Sequence, residues 1–508
     1  MTQHVSDLVV STSERAPATT ASGARVVAIV SCAALMGLVV RNAWIADDAF
    51  IAFRAVKNWV DGYGLVSNPG ERVQAFTSPL NTLLIAAGRS VFPNVYSVAL
   101  LLGLLSTAAL AVLTVRASRS VAPVVLFASS GAFIDFSTSG LENALAHLLL
   151  AVFVLSFLSE RRGNVVWLTA GLVVLNRLDH ALLVAPAVAL MAVEEKSWKR
   201  PLFAVVPVLA WEALSLVYYG FLLPNTAYAK LTTTLPRSEL WGQGLSYFVE
   251  SLQRDPVTLA CIAGVVSAVL WLGDRRARVV ALGIVAHLLY VVWIGGDFMS
   301  GRFFTAPFVV AVVLGVRQLL PLLELRARVA LGAGALLVGA TSGASPLRPL
   351  SYQCSVPPSG IVDERACYVE HTGLLRNLRR PGFQEHDYFL KGAAWRKSHQ
   401  RVVASSLVGL AGFAAGPEVH VVDTYALTDP LLARIPFSAG EKWRIGHWSR
   451  PIPAGYLESL EHGDDEIKDS TLREYYQHLR RVVRGPLWSG ERWRSIWLLN
   501  SGRLRPPG

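Results

Sequence analysis

Two adjacent carboxylates, Asp47 and Asp48, end the first long apolar run of the chain, 26–46. Neighbouring carboxylates at a membrane face repel each other and lose hydration, which raises the pKa of at least one of them. Such a group is poised to act as a general base, and the pair can alternatively hold a divalent cation. A helix end that simply enters water would also place two acids here, so both interpretations stay open.

A cation follows the pair at helical spacing. Arg54 lies seven residues after Asp47, and Asp61 lies seven residues after Arg54, so the three share one stripe of a helix. This spacing predicts that a base and a cation face one pocket. Glycines and a proline follow within 62–70, as in a fixed loop around a ligand or in any tight turn.

Further acids lie where later apolar runs begin or end. Glu142 opens a predicted span, where a carboxylate also suits the positive end of the helix dipole, so capping and catalysis are equally open. Asp179 lies in a charged turn beside Arg177, and the two can simply pair with each other. Both acids are candidates for a polar site on the same side of the membrane as Asp47.

Two other turns carry cations. Lys230 follows Pro224 near the predicted interface and can hold a lipid phosphate or extend towards headgroups. The glycine-flanked turn 295–302 carries Asp297 and Arg302, and a guanidinium there can clamp a phosphate through paired hydrogen bonds.

The composition shows what must position these groups. Of the 508 residues, 53% are hydrophobic and only 16% are charged, whereas an average soluble domain has about 25% charged residues. Disorder and most classes of soluble enzyme are thereby excluded. Repeated long apolar runs, each ended by a short basic cluster, are typical of a polytopic membrane protein. The net charge of +11 mainly marks cytoplasmic loops and does not indicate a nucleic-acid surface.

Alternating sides gives about eleven transmembrane helices. The predicted spans are 26–46, 95–115, 120–135, 140–158, 164–178, 181–194, 201–223, 257–273, 278–294, 303–322 and 327–343. The apolar stretch 79–92 is too short to cross the bilayer and is predicted to be a juxtamembrane or re-entrant helix. Counting the stretch 79–92 as a span would move every later basic loop to the extracytoplasmic side, against the positive-inside rule.

This topology divides the chain into three parts in the cytoplasmic membrane. Residues 1–24 form a flexible cytoplasmic tail, and 25–343 form the transmembrane module, with its catalytic first outer loop at 47–78. Residues 344–508 are polar and aromatic and form an extracytoplasmic domain. The N-terminus lies inside, and all the candidate residues lie on the outer side.

The cysteines and the absence of zinc and nucleotide motifs limit the classes of reaction that the sequence predicts. Cys354 and Cys367 lie 13 positions apart in the polar segment, where an oxidising compartment permits a disulfide between them. No cysteine or histidine cluster has zinc spacing, and no glycine-rich nucleotide loop is found in the sequence. An enzyme working at the outer face without nucleotide must use an activated donor that is held in the membrane.

The sequence resembles the GT-C glycosyltransferases at its first outer loop, Asp-Asp-Ala-Phe-Ile-Ala-Phe-Arg (47–54), Gly-Leu-Val-Ser-Asn-Pro-Gly-Glu (64–71) and Phe-Thr-Ser-Pro-Leu (76–80). It is similar to the subfamily of mycobacterial cell-wall arabinofuranosyltransferases. Further matches are Ser139–Glu142, Pro224–Lys230, Gly295–Met299, Tyr425–Pro430 and Ile452–Tyr456.

The resemblance implies a GT-C fold with a C-terminal extracytoplasmic α/β domain. It implies transfer of D-arabinofuranose from decaprenyl phosphate to the non-reducing ends of cell-wall arabinan on the periplasmic side. Asp47 or Asp48 would be the catalytic carboxylate, and Glu142 would be the next candidate if configuration is retained. Arg54, Lys230 and Arg302 would neutralise the departing phosphate. No cofactor is required, although a divalent cation on Asp47 and Asp48 remains an option.

The outer domain offers candidates for holding the acceptor. Asp429 and His447 are its polar candidates, near aromatic residues that include Trp448 and Tyr456, each of which is more often found in a core than on a ligand. The competing function is a lipid-linked sugar transporter or flippase with an outer binding domain. The absence of an inverted repeat and the clustering of charges at one membrane face oppose that alternative.

Overall fold

The computed structural model describes residues 18–159, 163–348, 354–380, 382–437 and 443–506. Most of the predicted tail, 1–24, lies outside the described residues. Ten helices lead up to the third outer loop: α1 (Ala18–Arg41), α2 (Asp47–Val60), α3 (Pro79–Val91), α4 (Val95–Ser118), α5 (Ala122–Ser129), α6 (Gly131–Asp135), α7 (Asn143–Leu158), α8 (Asn164–Asn176), α9 (Ala181–Glu194) and α10 (Leu202–Tyr218).

Six more helices complete the predicted membrane module: α11 (Asn225–Leu231), α12 (Arg237–Arg254), α13 (Pro256–Leu272), α14 (Arg275–Ile294), α15 (Thr305–Gln318) and α16 (Leu325–Thr341). The outer segment contains α17 (Glu364–Thr372), α18 (Leu374–Arg379), α19 (Asp387–Lys397), β1 (Val402–Ser405), α20 (Leu410–Ala415), β2 (His420–Asp423), α21 (Tyr456–His462), α22 (Ser470–Arg484) and α23 (Gly490–Asn500). Short 3₁₀ turns occur at Leu178–His180, Arg302–Phe304, Leu320–Leu322, Phe383–Glu385 and Leu432–Arg434.

Helices occupy all of the predicted apolar runs, and α3 forms at the predicted juxtamembrane stretch. The run 120–135 is divided into α5 and α6 at Ser130, whose hydroxyl accepts the N–H of Phe133 and caps α6. Among the described residues, three helices are individually long and apolar enough to cross a membrane, and a fourth span results if α12 and α13, bent by 109°, are counted together. The chain is a polytopic membrane protein, and the exact number of spans stays a prediction.

The main core lies around α15, in which nearly every residue from Thr305 to Val316 is buried. A helix that is apolar on all sides belongs in the centre of a bundle, and α15 packs against α7, α13 and α14. Close packing elsewhere depends on glycine: a Cβ at Gly283 in α14 would lie 2.3 Å from the carbonyl oxygen of Leu183 in α9. The bundle therefore holds its outer helix ends in fixed relative positions.

The outer segment is mainly helical in the part that the structure describes, and its one sheet pairs β1 with β2 in parallel, with Val402 opposite His420. The structure joins Cys354 to Cys367 by a disulfide. The segment lies directly on the membrane module: α20 packs on α2, and the N–H of Leu374 donates to the carbonyl of Ala43 at 2.8 Å. These contacts place the outer segment over Asp47 and Asp48.

Candidate active site

Asp47 and Asp48 form the first turn of α2, where the positive end of the helix dipole favours carboxylates. The residues before them are fixed in the core. The indole of Trp44 donates to the carbonyl of Asp135 at 2.8 Å, and the N–H of Ala46 donates to the carbonyl of Ser139 at 2.9 Å. Both aspartates remain partly accessible, so the pair lies at the wall of an open space and not inside the core.

The two aspartates have different surroundings. Asp47 accepts the N–H of Leu410 at 2.8 Å, and α20 lies so close that a Cβ on Gly409 would be 2.3 Å from Oδ2 of Asp47. Asp48 has no hydrogen bond or ion pair in the described part of the chain, and Arg302 and Lys230 are the cations that act on it. Asp47 is therefore held by the outer segment, while Asp48 is free to meet a ligand.

Both carboxyls are harder to ionise than an ordinary aspartate. Burial raises the pKa of Asp47 to about 7 against the opposing effect of the Leu410 hydrogen bond, and the charge of Asp48 raises it further. Burial also raises the pKa of Asp48, although Arg302 and Lys230 oppose that rise. A carboxyl with a pKa of about 7, such as that of Asp47, can exchange protons near neutral pH, as a general base must, and the pKa of Asp48 is shifted in the same direction.

A chain of buried ion pairs lies beside Asp48. Arg177 contacts Glu142 and also binds Asp179 at 2.7 Å. Arg302 lies 3.0 Å from the same Glu142 oxygen and 3.5 Å from Asp297. The alternation of acids and arginines fixes the guanidinium of Arg302 near Asp48, and Asp179 and Asp297 contribute by holding the two arginines.

Glu142, predicted as a catalytic candidate, lies between two arginines. Its side chain is 3% exposed, and one of its oxygens is shared by Arg177 and Arg302. Through these ion pairs Glu142 anchors the two cations, and a catalytic role for it stays a prediction.

Lys230, at the end of α11, lies among Asp297, Asp48 and Arg302. Partial loss of hydration lowers the pKa of Lys230, and the charges of Asp297 and Asp48 oppose the change. Its side chain stays accessible to solvent. Lys230 and Arg302 thus provide two cations beside the free carboxylate of Asp48.

Arg54 does not join them, and its predicted contact with a phosphate is wrong. Its guanidinium is buried and donates to the carbonyls of Gly412 and Val419 from the outer segment, as well as to Ser67 and Asn68 of the first outer loop. The predicted stripe also fails at Asp61, which ends α2 and pairs with Lys57. Arg54 binds the outer segment to the first loop.

The two polar candidates of the outer segment have different positions. Asp429 is 1% exposed and accepts the N–H groups of Leu431 and Leu432 and the hydroxyl of Tyr456, so its predicted contact with the acceptor is wrong. His447 lies at the site, with its ring 4.5 Å from that of Phe298. Burial and the charge of Arg444 lower the pKa of His447 to about 4, which keeps the imidazole neutral at physiological pH.

Sequence analysis missed several residues that the outer segment brings to the site. Glu364 begins α17 and lies near Asp48 and Asp47, whose charges, after burial, raise its pKa well above the usual value. Tyr368, Tyr388 and Arg444 lie close to it. The one feature of the sequence that could have drawn attention to Glu364 is its position between Cys354 and Cys367. That position does not predict that its side chain lies in a pocket.

The structure offers little to hold a metal ion. Among the described residues, no group of three or more His, Cys, Asp or Glu side chains is arranged for a metal. Asp47 and Asp48 would have to hold a cation with ligands from the substrate or from water. Two carboxylates with two neighbouring cations are better suited to a phosphate-bearing substrate.

The arrangement was compared with known proteins. No protein-family profile matches the chain. It is 30% identical to the terminal β-(1→2)-arabinofuranosyltransferase of Mycobacterium tuberculosis, over 81% of this chain and 81% of that protein. The chain belongs to the terminal β-(1→2)-arabinofuranosyltransferase family. A second family member, from Corynebacterium glutamicum, is 28% identical over 52% of this chain and 46% of its own length.

The fold of this arabinofuranosyltransferase family member is that of ArnT. Crystal structures of ArnT from Cupriavidus metallidurans, one bound to undecaprenyl phosphate and one in the apo state, superpose with TM-scores of 0.51 and 0.50 at 13% identity. Both cover 82% of this chain and 90% of ArnT. The predicted GT-C membership and glycosyltransferase activity are therefore confirmed.

Proposed function

We propose that the protein transfers D-arabinofuranose from a polyprenyl-phosphate donor to the end of a cell-wall arabinan at the outer face of the cytoplasmic membrane. The family and the undecaprenyl phosphate in the ArnT structure support the sugar and the type of donor. The observation that carries the proposal is the position of Asp48, unpaired in the described chain and next to Lys230 and Arg302. A carboxylate beside two cations suits transfer of a sugar away from a phosphate.

In the transfer, an acceptor hydroxyl oxygen forms a bond to the anomeric carbon of the sugar while the bond from that carbon to the phosphate oxygen breaks. The hydroxyl proton passes to Asp48, whose raised pKa suits a base that must release the proton again. The polyprenyl phosphate leaves with the negative charge, which Lys230 and Arg302 stabilise.

A β-linked donor that gives a β-linked product retains its configuration. Retention requires a carboxylate ester intermediate or attack from the face that the phosphate leaves. Glu142 is a poor nucleophile because two arginines share one of its oxygens. Asp48 is the unpaired carboxylate that forms the ester on the first route; the polyprenyl phosphate leaves in that step, and the acceptor hydroxyl then displaces Asp48 and gives its proton to Asp47. Mass spectrometry after incubation with a 2-fluorinated donor distinguishes the two routes by the presence or absence of a modified Asp48.

The topology of the proposal has the N-terminus inside and about eleven spans, with 344–508 outside. The short basic links between apolar helices then lie in the cytoplasm, as the positive-inside rule requires. No cofactor is needed in this mechanism. A divalent cation on Asp47 and Asp48 is the alternative, and transfer that is abolished by chelation and restored by Mg²⁺ or Mn²⁺ would establish it.

The test compares purified wild type, Asp48→Asn and Asp47→Asn in nanodiscs with polyprenyl-phosphoryl-arabinofuranose and a short arabinan acceptor. Asp48→Asn should lose at least about 100-fold in transfer rate, since it removes the base. Asp47→Asn should lose less, because the amide oxygen can still accept the Leu410 N–H. Asp61→Asn, on the same helix but exposed, is the control. Equal transfer by wild type and Asp48→Asn would remove the mechanism.

A further inference from the structure

The outer segment contributes aromatic rings that border Asp47 at one end and come near Lys230 at the other. Tyr368 lies on α17 and Tyr388 on α19, with ring centroids 6.4 Å apart. Tyr425 and His447 lie in loops that follow β2, with ring centroids 5.1 Å apart. These four residues are called the aromatic wall below.

The aromatic wall is accessible, unlike Trp448 and Tyr456, two of the aromatic residues considered from the sequence. Trp448 is 5% exposed and stacks on Phe437, and Tyr456 is fully buried under its hydrogen bond to Asp429. All four members of the aromatic wall are only partly buried. Trp448 and Tyr456 therefore belong to the core, whereas the aromatic wall can touch a ligand.

The aromatic wall borders the carboxylate pair. After burial, the charge of Asp47 raises the pKa of Tyr368 and of Tyr388, and Tyr388 is also influenced by Tyr425. His447 lies at the other end, near Lys230 and Asp297. The aromatic wall therefore borders Asp47 at Tyr368 and Tyr388 and comes near Lys230 at His447.

Each half of the aromatic wall is held in place by its backbone. Asp423, at the end of β2, accepts the N–H of Tyr425 at 2.8 Å and the N–H of Thr428 at 3.0 Å. The next residue, Ala426, has a φ of 63°, a conformation that costs energy for any residue with a Cβ. On the other half, the imidazole of His386 accepts the N–H of Tyr388 at 3.1 Å and stacks on Tyr368 at 5.5 Å. Strained and hydrogen-bonded backbone of this kind is typical of binding sites.

The chemistry of these rings fits an uncharged sugar. The face of a tyrosine ring carries partial negative charge and attracts the C–H bonds of a sugar face, while its hydroxyl can bond to sugar hydroxyls. The Nδ1 of His447 lies 3.1 Å from the carbonyl of Ile445. Since a neutral imidazole must donate to that carbonyl, its Nε2 is left as an acceptor for a hydroxyl.

We propose that Tyr368, Tyr388, Tyr425 and His447 form the acceptor subsite, on which the terminal furanose rings of an arabinan stack beside Asp47. The assignment rests on the proposed function, because that function supplies the uncharged glycan. The polyprenyl phosphate lies with Lys230 and Arg302, and the acceptor hydroxyl points at Asp48.

The test measures kcat and the KM of each substrate for Tyr388→Ala and Tyr425→Ala. Each should raise the KM of the arabinan acceptor about 3- to 10-fold through loss of one stacking ring, with the donor KM unchanged. Tyr388→Phe and Tyr425→Phe keep the ring and should remain close to wild type. Trp488→Ala, which removes an aromatic ring of the outer segment that is 75% exposed and is not part of the aromatic wall, is the control.

Unchanged acceptor KM in both alanine variants, at wild-type melting temperature, overturns the proposal, and so does a raised donor KM. A second measurement separates it from the proposed function. Saturation-transfer NMR with the arabinan fragment and no donor should detect binding to wild type and weaker binding to Tyr388→Ala. Binding by a wild type that transfers no sugar would refute the proposed function and leave the subsite standing, whereas no binding by wild type refutes the subsite.

Discussion

Replacing Glu142 by glutamine tests whether one buried carboxylate holds the phosphate-binding cations in place. The Oε1 atom of Glu142 lies 3.0 Å from the guanidinium of Arg302 and also contacts that of Arg177, and the Glu142 side chain is 3% exposed. Because the carboxylate has lost its hydration, the two arginines are the groups that stabilise its charge.

Glu142→Gln removes that charge and leaves two buried guanidiniums with fewer partners, which commonly costs about 3–5 kcal/mol. We expect the melting temperature in detergent to fall by several degrees and the KM of the donor to rise as Arg302 loses its position. Glu418→Gln, in a side chain that is 71% exposed, is the control and should change neither quantity. A Glu142→Gln protein with unchanged melting temperature and donor KM would refute the anchoring role.

Three further predictions follow from the same geometry. Arg54→Met should lower the melting temperature, because it leaves buried carbonyls unpaired at about 1–3 kcal/mol each, and the donor KM of the folded fraction should stay unchanged. Gly409→Ala places a Cβ 2.3 Å from Oδ2 and 2.4 Å from the backbone oxygen of Asp47, so kcat should fall by up to about 100-fold, and the melting temperature should fall too because α20 must move away from α2. The rate of transfer at saturating substrates should fall on the acid side with a midpoint above the ordinary aspartate range, since burial raises the pKa of Asp48; a midpoint near 4 would contradict its role as the base.

The helices could be predicted from the sequence because each is marked by a local property, an apolar run ended by basic residues. The division of the run 120–135 into α5 and α6 could not be predicted from such a local property. Ser130 interrupts it there, and its hydroxyl bonds to Thr258 at 2.6 Å and to Asp255 at 3.1 Å. Those partners are more than 120 positions away, and no local pattern reveals them. Apolar composition predicts that a helix forms, while a distant contact decides where it breaks.

The same distinction between local patterns and distant contacts explains which features of the candidate site could be predicted. Spacing correctly placed Asp47 and Arg54 on one face of α2, but that face packs on α20, which follows more than 350 positions later. The charge alone suggested that Arg54 binds phosphate, and the backbone carbonyls that it meets could not be foreseen. Lys230 and Arg302 both act on Asp48, and the three residues come from different elements: the last turn of α11, a 3₁₀ turn and the first turn of α2.

The sequence predicts a boundary at residue 343 between a membrane module and an outer domain. Residues from both sides of that boundary form the candidate site. Leu410 holds Asp47, and Gly412 and Val419 hold Arg54. The amide of Asn225, five positions before Lys230, donates to the carbonyl of Asp429, in the loop that follows Tyr425. A displacement of the outer segment would therefore remove the Leu410 hydrogen bond from Asp47, carry the aromatic wall away and break the Asn225 contact beside Lys230. The candidate site is complete only when the two parts of the chain are in contact.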